Sequence, residues 1–560
     1  MTSDRGREAR RGGHVDLGRR LEPLVLLGIV ALAALTRLPG LALRGQWDAD
    51  QGHDMTVLHA LVTAGQVPLL GPPTSIGTFH HGALYYYLLA PAAFLSGADP
   101  SVVVLELALI GIGAVVATWW LARVVGGPMT AAFAGLVAAV SPAAIEESTF
   151  IWNPNLVPLF AALAFGSAIR ARQTRRARWW LMVGVTASVA VQAHVLDITL
   201  LIPLAGLWLD TLVRRLRRHE PVLDLVRGGV AVAVLVVAGF LPLLASELTT
   251  GFTEVRAVLL FLGGNGSEAM TALPVRIIVV GLRVLSWPLV GLVTERAGLS
   301  LLVSAVMVAL IGMAVVTRRA HGDVTTGART RAVPAGAGSR PDGRAPDTDI
   351  PAARLLAGAL AISVLVLAIV APSLAAVVPG LPNDHYHAFL DPVVLVLASV
   401  GLARLTGTIQ GSGDNHRSIR VARLTGLGAT LASIALAVSA WPPVVSPDGG
   451  WPGADAAAVR VLATTGDAPL ALDGLPVFKS ADAVGFPLLR RGAQLVADGT
   501  TGAATVVVCD PLFETVVGDT CGGVAETAWL AMTGRSDLVL ADRWEAGPRR
   551  VISVYAAPAP

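Results

Sequence analysis

Apolar runs of about twenty residues recur along most of this chain, and no other feature limits its fold as strongly. They occupy 22–44, 101–122, 128–148, 155–170, 178–194, 196–213, 225–245, 298–317, 354–372, 386–404 and 423–441. The hydrocarbon core of a bilayer is about 30 Å thick, and roughly 20 apolar residues of helix cross it. Inside that core every backbone N–H and C=O must be bonded within the protein, which a helix does by itself. Charged residues make up only 14% of the chain, against about 25% in soluble domains. A soluble globule is excluded, and the chain reads as a polytopic α-helical membrane protein.

Arginine clusters set the threading. The tail at 1–20, Arg170 to Arg178, Arg214 to Arg218, Arg318-Arg319 and Arg417 to Arg423 all carry the positive charge that marks cytoplasmic segments. The first apolar run leads to Arg37 and Gly40 without a small-residue cleavage site, so it is expected to remain as a span behind a basic cytoplasmic tail. An eleven-span threading puts every cluster inside and residues 442–560 outside. It requires 82–96 and 275–292 to lie along the outer surface or to be re-entrant; if both cross, thirteen spans result. The stretch 320–350 is rich in Gly, Ala, Pro, Arg and Thr and reads as a disordered cytoplasmic loop. After Trp441 the composition changes. Short β-rich runs at 469–472, 505–508 and 551–555 alternate with Gly/Asp turns, which predicts a small extracytoplasmic α/β domain over 442–560. The two cysteines, Cys509 and Cys521, fall in that domain and lack metal-ligand spacing. An exported domain can join such a pair as a disulfide, and two buried thiols are the alternative. The net charge of +3 is spread over loops and points to no nucleic-acid partner. Lys479 is the only lysine, so a cationic contact to phosphate must come from Arg or His.

Polar residues then gather on the outer face. Trp47-Asp48-Ala49-Asp50-Gln51-Gly52-His53-Asp54 follows the first span. From Asp50 to Ala64 the spacing is helical, with Met55, Leu58 and Val62 on one stripe and Asp50, His53 and Asp54 a turn apart on another. Gly65 ends it. A helix lying on the bilayer surface fits this pattern, and a solvated acidic loop is the plain alternative. Next comes His80-His81-Gly82-Ala83-Leu84-Tyr85-Tyr86-Tyr87. Such residues form interfacial aromatic belts, meet phosphates, or hold a divalent metal ion together with Asp48 and Asp50. Trp152-Asn153-Pro154-Asn155, His194 and Asp384-His385-Tyr386-His387 lie at junctions on the same face. Ionisable residues at membrane depth are functional candidates by default.

These motifs resemble the GT-C class of glycosyltransferases that use polyprenyl-phosphate sugars, in particular the family 39 group of aminoarabinose transferases and protein O-mannosyltransferases. Asp50-Gln51 followed by Gly65 and Pro68 matches the acidic motif that opens a surface helix after the first span. His81 to Tyr87, Trp152 to Asn155 and Tyr386 match further junctions. The resemblance covers about the first 410 residues. It implies a GT-C-like fold, a polyprenyl-phosphate sugar donor, an acceptor in the envelope of a bacterial plasma membrane, and Asp50 in the place of the catalytic aspartate. It also departs from the family. Lysines stand in the aminoarabinose enzymes where this chain has His81 and His194, and Gln51 and Asn153 replace acidic residues.

The implied chemistry needs these residue types. A sugar hydroxyl is a poor nucleophile, so a carboxylate must take its proton, and the departing lipid phosphate needs donors or cations in a dry site. Asp50 is expected to be the base and to act with inversion. Asp48, His53, Asp54, His80, His81, Tyr85, Asn153, His194, Tyr386 and His387 are expected around the substrates, with Arg256, Arg276 or Arg283 adding charge. A transporter or flippase is the competing class, but it calls for polar clusters at the bilayer midplane and related halves, and here the clusters gather at one face.

Overall fold

The computed structural model describes residues 4–74, 78–263, 271–291, 296–316, 351–375, 384–411, 416–476, 481–497, 500 and 502–558. Among them, seven helices are long and apolar enough to cross a membrane: Pro100–Gly126, Asn153–Thr174, Val195–Arg217, Leu273–Val290, Ala297–Val315, Ala352–Val370 and Asp384–Gly407. The pair Leu223–Gly239 and Leu241–Thr250, bent by 47° at Phe240, makes an eighth if it is one span. Large apolar side chains such as Val234, Val237, Leu301, Leu302 and Val306 stay exposed on these helices, as side chains facing lipid do. Small residues such as Ala161, Ala162, Ala164 and Ala187 fill the helix–helix contacts, where close backbone approach is the main source of cohesion in lipid.

Among the described residues, length and hydropathy give seven or eight spans rather than eleven, and two details differ from the sequence reading. The run at 128–148 is cut, because Pro128–Val140 ends at Ser141, whose hydroxyl caps the short Pro142–Glu146 helix. The run at 275–292, expected on the surface or re-entrant unless it crosses, is a continuous helix of spanning length, Leu273–Val290. The expected disordered loop at 320–350 lies outside the described residues. The Leu84–Ser96 helix is only 13 residues long, about 20 Å, and too short to cross. Tyr85 and Tyr86 at its start reach Asp54, while Ala98 and Asp99 beyond its end accept from Arg490 of the C-terminal domain. Both of its ends therefore lie at one end of the bundle.

The C-terminal domain is a five-stranded sheet of order β2-β1-β3-β5-β4, with β1 (Leu470–Leu475), β2 (Leu495–Val496), β3 (Ala504–Cys509), β4 (Val539–Gly547) and β5 (Arg550–Ala556). β1 runs parallel to β2 and β3, and β5 runs antiparallel to β3 and β4. Helices Gly450–Thr465, Asp482–Arg490 and Val524–Met532 accompany it. Val461, Leu470, Val484, Leu488, Val506, Ile552 and Val554 form one buried cluster between sheet and helices. A disulfide joins Cys509, at the end of β3, to Cys521 in the loop before the Val524–Met532 helix.

This domain sits directly on the acidic loop. Trp47 is buried, with ring centroids 4.8 Å from Trp451 and 5.9 Å from Phe486. Its indole N–H donates to Ala483 O at 2.8 Å, and its backbone N–H donates to Asp448 Oδ2 at 2.7 Å. Arg550 donates to Trp47 O. The Ala49–Ala64 helix packs on Asp482–Arg490 through Gly52, where an added Cβ would stand 2.0 Å from Asp482 O. A collision with backbone cannot be relieved by a rotamer change. Gly52→Ala should therefore weaken the docking by about 1–3 kcal/mol. Earlier proteolytic release of the segment after Ala440 would report it, with Gly28→Ala, where a Cβ meets nothing within 4 Å, behaving as the unaltered protein.

Candidate active site

Asp48 caps the Ala49–Ala64 helix. Its carboxylate accepts from Ala49 N–H at 2.8 Å, and its own backbone N–H donates to Gln51 Oε1 at 2.8 Å. Gln51 Nε2 in turn donates to Ile151 O at 2.8 Å. Where the resembling enzymes carry an acid, this chain thus has a two-sided brace, which needs a donor as well as an acceptor. Asp50 stands exposed in the first turn, where the helix dipole favours negative charge. Asp54, one turn on, is fully buried and accepts from the hydroxyls of Tyr85 and Tyr86, both at 2.8 Å. Burial pushes its carboxyl up to about 7, against the opposing pull of the two tyrosines. Tyr85 and Asp54 therefore clamp two helices together. His53 bonds Asp482 of the C-terminal domain at 3.3 Å, and that bond raises its imidazole above the ordinary value.

The loop before the Leu84–Ser96 helix folds back on itself, with Gly71 N–H donating to His81 O and His81 N–H to Pro72 O. His80 turns away from the centre: its backbone N–H and ring Nδ1 both engage the Glu254 carboxylate, at 2.7 and 2.9 Å. His81 turns inward. Its Nδ1 accepts from Val195 N–H at 3.1 Å, so the ring proton resides on Nε2. Burial, and secondarily the charge of His80, pushes this imidazole down to about 3. His81 is neutral at ordinary pH and acts as a hydrogen-bond donor rather than a cation.

Three further junctions meet that ring. His194 lies 5.0 Å from His81 and stacks on Tyr386 at 5.2 Å. His385 meets His194 edge-on at 5.2 Å and Trp152 at 4.4 Å. Asn153 Nδ2 donates to Ala193 O, the carbonyl just before His194. His194 is buried, and its Nδ1 has no hydrogen-bond partner among the described residues. Of the candidates, the structure brings together His81, His194, Tyr386 and Asn153. Asp50 is tied to the same place through Gln51 and Ile151, the residue before Trp152. His387 belongs elsewhere. It is buried 3.1 Å from Asp384 and 3.6 Å from Asp391, and Asp384 also pairs with Arg283 at 2.7 Å. Arg283 is thereby held beside His387, in the Asp384 cluster.

Several neighbours escaped the sequence reading. Arg549 of the C-terminal domain lies 3.9 Å from Asp48 and 2.7 Å from Asp510; it is about 500 residues from the acidic motif and no local pattern marks it. Glu254 and the orienting Val195 N–H lie 174 and 114 residues from their partners His80 and His81. Trp152 and His385 were visible as motif members, and only their stacking was not. The described side chains offer the possible metal ion no ready donor set. Among the described residues, no group of three or more His, Cys, Asp or Glu side chains is placed to hold an ion. Asp48 spends its carboxylate on a cap, and His80 is turned to Glu254.

Comparisons with known proteins bear on the fold. Residues 80–245 match the family model described as dolichyl-phosphate-mannose-protein mannosyltransferase. The structure is similar to ArnT from Cupriavidus metallidurans bound to undecaprenyl phosphate, with 15% identity and a TM-score of 0.55 over 94% of this chain and 97% of that one. It is also similar to the apo state of ArnT from the same organism, with 14% identity and a TM-score of 0.54 at the same coverage. The chain has the ArnT-like GT-C fold. No curated protein matches it by sequence. In this GT-C chain the matched segment begins at His80 and includes Asn153 and His194, so three of the converging junctions fall inside it.

The acidic helix carries a pH dependence of definite sign. Asp54 has a folded value near 7 against an ordinary 3.8, so the stability it contributes is complete below about pH 4 and is lost as pH rises towards 7. His53, raised above 6.5, adds stability below that value and loses it as pH rises through its folded value. The thermal midpoint of purified protein should fall between pH 5 and pH 8, and Asp54→Asn should flatten the lower part of that decline.

Proposed function

We propose that the protein is a membrane glycosyltransferase that moves a sugar from a polyprenyl-phosphate carrier to an acceptor of the bacterial cell envelope, on the outer face of the plasma membrane. The observation that carries this reading is the meeting of His81, His194 and Tyr386 beside the helix that opens with Asp50. The fold agrees with it, and ArnT, which shares the fold, is described with undecaprenyl phosphate bound.

Asp50 is the general base. The acceptor hydroxyl oxygen attacks the anomeric carbon while its proton passes to the Asp50 carboxylate. The bond between the anomeric carbon and the phosphate oxygen breaks from the opposite side, and the carrier leaves as polyprenyl phosphate with inversion at the sugar. Asp50 suits the role because it is exposed, whereas Asp54 is buried between two tyrosines and Asp48 is engaged in a cap. The leaving phosphate gathers charge against His81 Nε2–H, His194 and the Tyr386 hydroxyl. Donors already aimed in a dry site need no reorganisation as that charge develops. With two histidines in place of lysines, the pocket relies more on hydrogen bonds than on net charge, and Arg549 of the C-terminal domain supplies a guanidinium next to the acidic motif.

Turnover of a panel of polyprenyl-phosphate sugars by purified protein tests the reading, with Asp50→Asn as the control. Losing a positioned base costs a factor of about 10²–10⁴, so that variant should be nearly inactive while still binding donor. An active Asp50→Asn beside a dead Asp48→Asn would move the base two residues upstream. His81→Ala and His194→Ala should each raise the KM for donor, and full turnover at limiting donor in both would remove the phosphate from this place.

A further inference from the structure

The loop that delivers His81 to the converging rings is held by contacts too close for a side chain. Its runs 71–74 and 79–82 pair antiparallel. Thr74 N–H donates to Phe79 O at 2.9 Å, His81 N–H to Pro72 O at 2.9 Å and Gly71 N–H to His81 O at 3.0 Å, with a bridge between Pro73 and His80. The peptide unit between His81 and Gly82 closes this ladder. Its C=O and N–H point opposite ways, as in any trans peptide. The first meets Gly71, and the second donates to Gln192 O at 3.0 Å, two residues before His194. One peptide unit thus lies between the 71–72 run and the end of the Ala177–Ala193 helix, which His194 caps.

Both flanks of that peptide are glycine. A Cβ added to Gly71 would collide with Gly82 O and stand 2.8 Å from the carbonyl carbons of His81 and Gly82. One added to Gly82 would collide with Gln192 Cγ and stand 2.5 Å from its Cβ. Backbone has no rotamer with which to give way, so a side chain at 71 has to push the two runs apart. Neither glycine has the left-handed backbone that favours the residue. The space left by the missing side chain, and not conformational freedom, is what these positions supply. The His81 ring is held independently, because its Nδ1 accepts from Val195 N–H at 3.1 Å. Its centroid stands 5.0 Å from that of His194.

We propose that Gly71 is a positioning residue that acts through His81. Lacking a side chain, it seats the His81–Gly82 peptide against the helix end that His194 caps, and so sets how the two rings converge. What the rings then bind rests on the glycosyltransferase reading, in which His81 Nε2–H meets the donor phosphate. The seating itself does not depend on that reading. A displacement of about 1 Å in such a site costs up to about 10²-fold in rate.

Gly71→Ala in the full-length protein tests this in two arms. Hydrogen exchange at the imidazole C2 carbon, followed by mass spectrometry, reads the surroundings of each histidine without turnover. His81 should exchange several-fold faster, while His219, just beyond the Leu201–Arg217 helix, stays the same. An unchanged His81 would overturn the proposal. In the second arm, kcat/KM for a polyprenyl-phosphate sugar should fall about 10²-fold, chiefly through KM. In a His81→Ala background Gly71→Ala should add little, because residues that act through one another are not additive. Independent, additive losses would make Gly71 a support of the fold at large and overturn the proposal as well. Faster His81 exchange in a protein whose unaltered form turns over no such donor would support the seating and count against the glycosyltransferase reading alone. Gly82→Ala, whose added Cβ meets a side chain rather than backbone, should show the same pattern and serves if Gly71→Ala fails to fold.

Discussion

The short extended segment at Trp47 is gripped by both halves of the molecule, and the arrangement of the site depends on that grip. Its N–H, its C=O and its indole N–H are all taken by the C-terminal domain, through Asp448, Arg550 and Ala483. One residue later the capping box begins, and Gln51 ties the same helix to Ile151 in the membrane bundle. Asp50 therefore sits on a helix whose first turn is fixed from above and from the side. A base held within a few tenths of an ångström of its target works far better than one on a free loop. The C-terminal domain thus helps to position the helix that carries the proposed base, and Gly52 keeps the two in backbone contact.

Behind that surface, polar groups are arranged according to how much water they lose. One buried cluster pairs its charges, Arg283 with Asp384 and His387 between Asp384 and Asp391, whereas buried Arg37 donates to hydroxyls and backbone carbonyls. Such pairs are costly to break, because a lone buried charge remains. Asp197 differs, being buried with neither carboxylate oxygen hydrogen-bonded. The rings at the proposed phosphate place form a third class. His81, His194, His385, Tyr386 and Trp152 meet by stacking and edge contacts, and neutral His81 leaves a dry donor surface rather than a fixed positive one. A surface of that kind costs little to keep unoccupied, yet it can meet an anion through N–H and O–H donors.

The sequence by itself determined the membrane class, the helix that starts at Asp50 and stops at Gly65, the β-rich runs at 469–472, 505–508 and 551–555 that fall on β1, β3 and β5, and the list of junctions that carry polar residues. Each of these depends on spacing within one segment: hydropathy over about 20 residues, a helical stripe, a cap, or an alternating run. Only the tertiary structure decided what each polar residue faces. His80 and His81 are neighbours with opposite fates, one bonded to Glu254 and the other turned to His194. Asp50 and Asp54 lie one turn apart, yet the first is exposed and the second is locked between two tyrosines. Partners such as Arg549, Val195 N–H and Asp482 come from 100 to 500 residues away. Hydrogen bonding and desolvation act over a few ångströms of space, whatever the separation along the chain, so the roles of these side chains appear only once the chain has packed.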